Sequence, residues 1–155
     1  MVRRANENRR QAIRALARMA RQLERSSGDL NLAHYRVLAA VADGDERASM
    51  VADRLALGKP TVSASVDSLT RRGLLSREDA EDDRRAATLA LTPAGEAALA
   101  AVEEEMLARL DLLCARTPDP DAVLDSLAHL GEALDEVAAE RLAARKAKRA
   151  AGKGA

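Results

Sequence analysis

Apolar residues recur at intervals of three and four along most of this chain, and turn-forming residues break the recurrence at a few places. Ile13, Leu16, Ala20 and Leu23 form one stripe with arginines on the other faces, which predicts an amphipathic helix from about Arg4 to Arg25. Ser26-Ser27-Gly28 ends it, with Gly28 suited to the left-handed position after a helix. Asn31 caps a second helix, Leu32 to about Val41, with Leu32, Tyr35, Leu38 and Ala39 inward. Ala42-Asp43-Gly44-Asp45 breaks the pattern again. Ser49 is expected to cap a short third helix through Leu55 that turns Val51, Ala52 and Leu55 inward.

After a turn at Ala56-Leu57-Gly58, a fourth helix starts near Lys59-Pro60, proline being tolerated in the first turn. Val62, Val66 and Leu69 are its buried stripe, and Gly73 closes it behind Arg71 and Arg72. Leu74–Arg77 and Thr88–Leu91 read as short strands around a polar loop, Glu78 to Arg85. Thr92 then caps a helix with Pro93 at its first position. Leu99, Val102, Met106, Leu110 and Leu113 run along this helix. Leu127, Leu130, Leu134 and Val137 run along another, after the break at Thr117-Pro118-Asp119-Pro120.

These two seams are long for a chain of 155 residues to cover alone. Burying one Leu is worth roughly 1.5–3 kcal/mol, so wet seams are costly. A second subunit covers them economically, and an intramolecular hairpin of the two helices is the alternative. The order helix, turn, helix, strand, loop, strand is that of a winged helix-turn-helix, a module that puts one helix in the DNA major groove.

Composition narrows the picture. The chain is 47% apolar and 32% charged, with one Tyr and no Phe or Trp, so a helical core of Leu, Val and Ala is expected. The formal net charge is zero, but the charges are segregated. The first helix carries Arg3, Arg4, Arg9, Arg10, Arg14, Arg18, Arg21 and Arg25, the region from Glu96 to Glu140 is acidic, and the end is basic again. Such helices complement one another when packed, or stand as solvated faces. No apolar run approaches the ~20 residues of a membrane span, and the start has no apolar signal core, which predicts a cytoplasmic protein without a membrane partner. One Cys excludes an internal disulfide framework.

The candidate chemistry lies on the fourth helix and the loop. Opposite Val62, Val66 and Leu69 stand Lys59, Pro60, Thr61, Ser63, Ala64, Asp67, Ser68 and Arg71. Small and hydroxyl side chains let a helix approach base edges, and Lys59 or Arg71 can reach guanine or phosphate. Asp67 can accept from cytosine or tether a neighbouring Arg. In the loop, Asp83, Arg84 and Arg85 precede the return strand. An arginine at a loop tip suits the narrow minor groove, and a flanking Asp can orient it; a solvated turn with ion pairs is the competing reading.

The segments LNLAHYRVLAAV, VADRLALGKPTVSASVDSLTRRGLLSR and DDRRAATLALTPAG together resemble the MarR family of bacterial transcription regulators. Asp83, Arg85, Leu89, Leu91, Thr92 and Gly95 match the family's wing pattern, while His34 stands where the family often has Gln. The resemblance implies a mainly α fold with a small β-wing, ordered helix–helix–strand–helix–helix–strand–strand–helix–helix. It implies one domain over residues 1–155. The winged lobe would span about 31–92, the dimerisation helices about 4–27 and 93–148, and a disordered tail 149–155. It also implies an obligate homodimer interlocked through its first and last helices, contacts at Ile13, Leu16, Leu110, Leu113, Leu127, Leu130 and Leu134, a recognition helix at Pro60–Arg72, and wing arginines in the minor groove.

Family members are often released from DNA by a small aromatic anion. The corresponding crevice here would be lined by Arg14, Arg18, His34, Tyr35 and Met106, although the scarcity of aromatic residues argues against a stacking pocket. Cys114 sits among leucines and is expected to be a buried structural thiol. His34 and His129 have no metal-type spacing with Cys or a second His, and no nucleophile–base pair or phosphate loop appears, so neither a metal, a cofactor nor an enzymatic activity is expected. The expected function is a dimeric, sequence-specific regulator, a repressor, binding a near-palindromic double-stranded operator and released by a small effector. The alternative is a winged-helix assembly module that does not read DNA.

Overall fold

The structure, a computed structural model, describes residues 2–26, 30–78 and 88–151. These form α1 (Val2–Ser26), α2 (Leu32–Ala42), α3 (Ala48–Arg54), α4 (Lys59–Arg71), β1 (Leu75–Glu78), β2 (Thr88–Leu91), α5 (Pro93–Cys114) and α6 (Pro120–Ala151). The strands pair antiparallel in the register Leu75 to Leu91 through Glu78 to Thr88. The architecture is thus mainly helical with a small wing hairpin, as the hydrophobic pattern predicts.

Local chemistry sets the boundaries. Asn31 caps α2, its Oδ1 accepting from the His34 N–H at 2.8 Å. Gly73, at φ +71°, ends α4, and its N–H donates to the Thr70 carbonyl. Thr92 works in three directions: its Oγ1 accepts from the Gly95 N–H at 3.0 Å, its hydroxyl donates to the Gly73 carbonyl at 2.6 Å, and its N–H donates to the Leu74 carbonyl at 3.2 Å. One residue therefore joins the end of α4, the entry of β1 and the start of α5. Gly95 completes the joint, because a Cβ there would lie 2.0 Å from the Leu74 carbonyl oxygen.

Four expectations are corrected. The expected cap Ser49 lies inside the first turn of α3; Arg47 is the N-cap, with no side-chain cap bond, and its carbonyl accepts from Met50 and Val51. The strand between α2 and α3 does not form. Asp43, Gly44, Asp45 and Glu46 donate their N–H groups to turn bonds, leaving the Glu46 carbonyl to accept a single bond from Leu89, 2.7 Å. The expected turn before α4 contains a left-handed residue, Ala56 (φ +52°). α2 buries Val37, Leu38, Ala40 and Val41, while Leu32, Tyr35 and Ala39 are half-buried. At the chain end, α6 continues to Ala151, past Lys148, where the disordered tail was expected to begin, and 152–155 lie outside the described residues. Gly28 also falls outside them.

The core is built from both layers of the winged lobe and the first half of α5: Val37, Leu38, Val51, Val62, Val66, Leu69, Leu75, Leu89, Leu99, Val102 and Met106 are buried. Among the described residues, α1 and α6 contribute no buried residue to it. Their apolar stripes stay open, with Ile13 68% and Leu134 63% exposed, and Leu107 of α5 57%. α1 meets α5, where Arg109 donates to the Gln22 side chain at 2.8 Å, and α6 runs back to lie against α3.

Candidate nucleic-acid interface

α4 is held by its inner face. Val62, Val66 and Leu69 are fully buried and Ser65 joins them, while Lys59, Pro60, Thr61, Ser63, Ala64, Asp67 and Arg71 are exposed and Ser68 is half-buried. The outer face is therefore a strip of short side chains flanked by Lys59 at one end and Arg71 at the other. α3 packs against α4, so the two helices form a rigid helix-turn-helix unit. The loop ahead of α3 is braced by Arg54, which bonds Asp43 at 2.8 Å and lies 3.8 Å from Asp45. Burial raises the Asp45 carboxyl above its usual range and Asp43 adds to the rise, against the opposing pull of Arg54.

Asp67 takes the second of its two predicted options. Arg77, on β1, donates to Asp67 Oδ1 at 2.6 Å, tying the recognition-helix face to the first strand of the wing. Arg71 Nε donates to the Asp67 backbone carbonyl oxygen at 3.4 Å, while the Asp67 carboxylate is taken by Arg77. Sequence reasoning misses Arg77. The ten residues separating it from Asp67 follow neither helix nor strand periodicity, and the contact exists only because β1 folds back along α4. The wing residues Asp83, Arg84 and Arg85 lie outside the described residues, on the connection between Glu78 and Thr88.

The structure has a cavity in the region where an effector crevice was expected, with a different lining. A cavity of about 620 Å³ opens among α1, α2, α5 and α6, bounded by Leu16, Met19, Leu23, Tyr35, Met106 and Leu110, with Arg36 and Glu103 as its charged groups. Tyr35 and Met106 stand where expected; Arg14, Arg18 and His34 do not line it. Arg14 and Arg18 lie on the exposed face of α1. Burial, and then the nearby Arg72, hold the His34 imidazole below its usual pKa, and its Nδ1 has no hydrogen-bond partner among the described residues. Burial raises the Tyr35 phenol, as do the negative charges of Glu103 and Asp43 and a side-chain hydrogen bond with Glu103. A second apolar hollow of about 630 Å³ lies between α1 and the start of α6, along Leu16, Met19, Val123, Leu127 and Leu130.

Cys114 is buried at the end of α5. Among the described residues no cluster of three or more His, Cys, Asp or Glu side chains could hold a metal ion, and no helix is long and apolar enough to cross a membrane.

Residues 28–86, which hold α2, α3, α4 and β1, match the MarR family. No curated protein sequence matches the chain. Among solved structures, the transcriptional repressor CouR bound to a 23-mer DNA duplex is 28% identical, covering 78% of this chain and 89% of its own, with a TM-score of 0.64. A MarR-family regulator from Silicibacter pomeroyi is 27% identical over 80% of this chain and 85% of its own, with a TM-score of 0.62. Staphylococcus aureus MarR, in complex with salicylate and kanamycin, shares the fold at a TM-score of 0.72, with 18% identity over 86% of this chain and 91% of its own. With residues 28–86 matched in sequence and most of its architecture matched in space, the chain is similar to the MarR family of winged helix-turn-helix transcription regulators.

Proposed function

We propose that this protein is a homodimeric repressor that reads a near-palindromic operator through the outer face of α4. The observation that carries the reading is that face itself. Thr61, Ser63 and Ala64 are exposed on a helix whose other side is locked by Val62, Val66 and Leu69, so the backbone can approach base edges without losing its register. CouR, similar to this chain over most of its length, is a repressor bound to a DNA duplex, and supports the same use of the fold. Lys59, Pro60, Ser68 and Arg71 flank the reading strip, with Asp67 held to orient Arg77. The wing residues Asp83, Arg84 and Arg85 enter the adjacent minor groove.

The dimer forms through α1, α5 and α6. Ile13, Leu16, Leu130 and Leu134 are exposed, and Leu110, Leu113 and Leu127 only half-buried, a distribution that a second copy would cover. The cavity at Tyr35 and Arg36 takes a small, largely apolar effector whose binding lowers DNA affinity. The occurrence of salicylate in the S. aureus MarR structure supports a ligand of that size.

Selection of bound sequences from a random DNA pool tests the reading. The expected result is a symmetric motif with half-sites about one helical turn apart. A pool that stays unenriched overturns it.

A further inference from the structure

α1 and α6 carry opposite charges at the same spacing. On α1, Arg10, Arg14, Arg21 and Arg25 follow one another at intervals of four, seven and four residues, and on α6 Asp121, Asp125, Glu132 and Glu136 do the same. In a helix of 3.6 residues per turn these intervals keep each set on one side, as a ridge about 22 Å long. From Pro120 to Glu140, α6 has no Lys or Arg. The pattern reads the same in either direction, so the two ridges match charge for charge whether the helices run parallel or antiparallel.

The fold keeps the ridges apart within one subunit. α1 and the start of α6 face each other through apolar side chains, Leu16 and Met19 with Val123 and Leu127, along the hollow between them. Among the described residues, the half-buried positions are Met19, Ala20, Gln22 and Leu23 on α1, and Val123, Leu127, Ala138 and Leu142 on α6. All eight ridge residues are exposed. Arg10 reaches Glu7 of its own helix at 4.0 Å, and among the described residues no ion pair joins α1 to α6.

A single exposed ion pair is worth little, but a row of charges beside an apolar contact selects which surfaces meet. Ile13 stands beside the α1 ridge, and Leu130, Leu134 and Val137 run beside the α6 ridge, all exposed. A second copy that covers these seams brings one pair of helices together or another. α1 on α1 would set arginine against arginine, and α6 on α6 would set carboxylate against carboxylate. α1 on the partner subunit's α6 sets arginines opposite carboxylates, and the two-fold axis repeats that contact.

We propose that the two copies recognise each other by charge, the Arg10–Arg25 ridge of one subunit docking along the Asp121–Glu136 ridge of the other. The ridges choose the α1-to-α6 arrangement of the seams, make assembly sensitive to salt, and exclude chains that lack the matching pattern. The inference rests on the homodimer proposed above and deepens it.

Sedimentation velocity of the full chain tests it. Between about 25 mM and about 500 mM NaCl the dimer dissociation constant should rise roughly tenfold or more, because salt screens exposed charges. At low salt, R10E/R14E/R21E/R25E and D121K/D125K/E132K/E136K should each dimerise at least about tenfold more weakly than the parent, since each then faces its own sign. Mixed together, the two variants should form a heterodimer as tight as the parent dimer, with circular dichroism showing both folded. Variants that each dimerise like the parent would make the ridges solvated faces, and the inference falls while the dimer stands. Weakened variants that the mixture does not restore also overturn it, because the ridges then do not pair between subunits. If a reversed variant fails to fold, the parent's salt series decides, and a dissociation constant that does not rise with salt overturns the inference. A parent that is monomeric at every salt concentration overturns dimer and ridges together.

Discussion

Arg77 of β1 grips Asp67 of α4 at 2.6 Å, and so fixes the angle between the recognition helix and the strand that leads into the wing. Both side chains are about half exposed, so the pair adds little to stability, on the order of 1 kcal/mol or less. Its value lies in geometry. If Asp67 were free, it would place an uncompensated carboxylate on the face proposed above to approach DNA.

Arg77→Ala is therefore expected to leave the melting temperature nearly unchanged and to weaken DNA binding by about 1–3 kcal/mol. Asp67→Ala should cost less, because Arg77 keeps its charge. The two losses should be non-additive, with a coupling of about 0.5 kcal/mol or more in a double-mutant cycle measured by DNA titration. Strictly additive losses would mean that the two residues act independently.

Gly95 marks where α5 presses on the entry to β1. A methyl group there would meet the Leu74 carbonyl oxygen, a backbone atom that cannot turn aside, with the Leu91 side chain 3.2 Å from the same point. Gly95→Ala should destabilise the fold by on the order of 1–3 kcal/mol or more, despite alanine's better helix propensity. Thermal or urea unfolding measures it directly. A variant as stable as the parent would show that the joint can open at no cost.

The local part of this architecture is legible in the chain because it is written at short range. Asn31 with His34, and Thr92 with Gly95, are cap signals three residues long, and the structure forms both. The stripe at Val62, Val66 and Leu69 needs only the helical period. What escapes is whatever depends on how elements meet. Arg77 reaches Asp67 through a turn of the chain, and the rotation of α2 sends Tyr35 toward the cavity while His34 faces Arg72. The strand before α3 fails because turn hydrogen bonds claim its N–H groups, a competition that residue propensities do not reveal.

His34 gives the fold a pH dependence of definite sign. Burial first, and Arg72 second, lower its folded-state pKa below the unfolded 6.5. Between those two values the unfolded chain binds more protons than the folded one, so stability falls as pH drops through 6.5. Asp45, whose carboxyl is raised above 3.8, works in the opposite sense over a more acidic range. Melting temperatures of the parent and of His34→Gln should therefore separate as pH falls below about 6.5, with the Gln variant losing less. Parallel curves would remove His34 as the source.

The dimer prediction follows from where the apolar stripes of α1, α5 and α6 end up. Leu134 and Ile13 remain largely exposed although each lies on a regular helical seam, and neither packs into the core of the described residues. At roughly 25 cal/mol per Å² of apolar area, covering several such leucines supplies many kcal/mol toward association, part of which offsets the lost freedom of two subunits. Leu134→Glu would put a charge into the proposed seam where the same residue of a second copy, or its neighbour, must pack. It should convert the protein to a folded or partly folded monomer in sedimentation velocity at micromolar concentration and abolish binding to a two-half-site duplex. Leu110→Glu should be harsher, because Leu110 is half-buried within the subunit as well and its loss also disturbs the wall of the Tyr35 cavity. Glu104→Gln, on an exposed position of α5 away from these seams, is the control and should remain dimeric. A parent chain that sediments as a stable monomer at these concentrations would mean that the stripes serve some other partner.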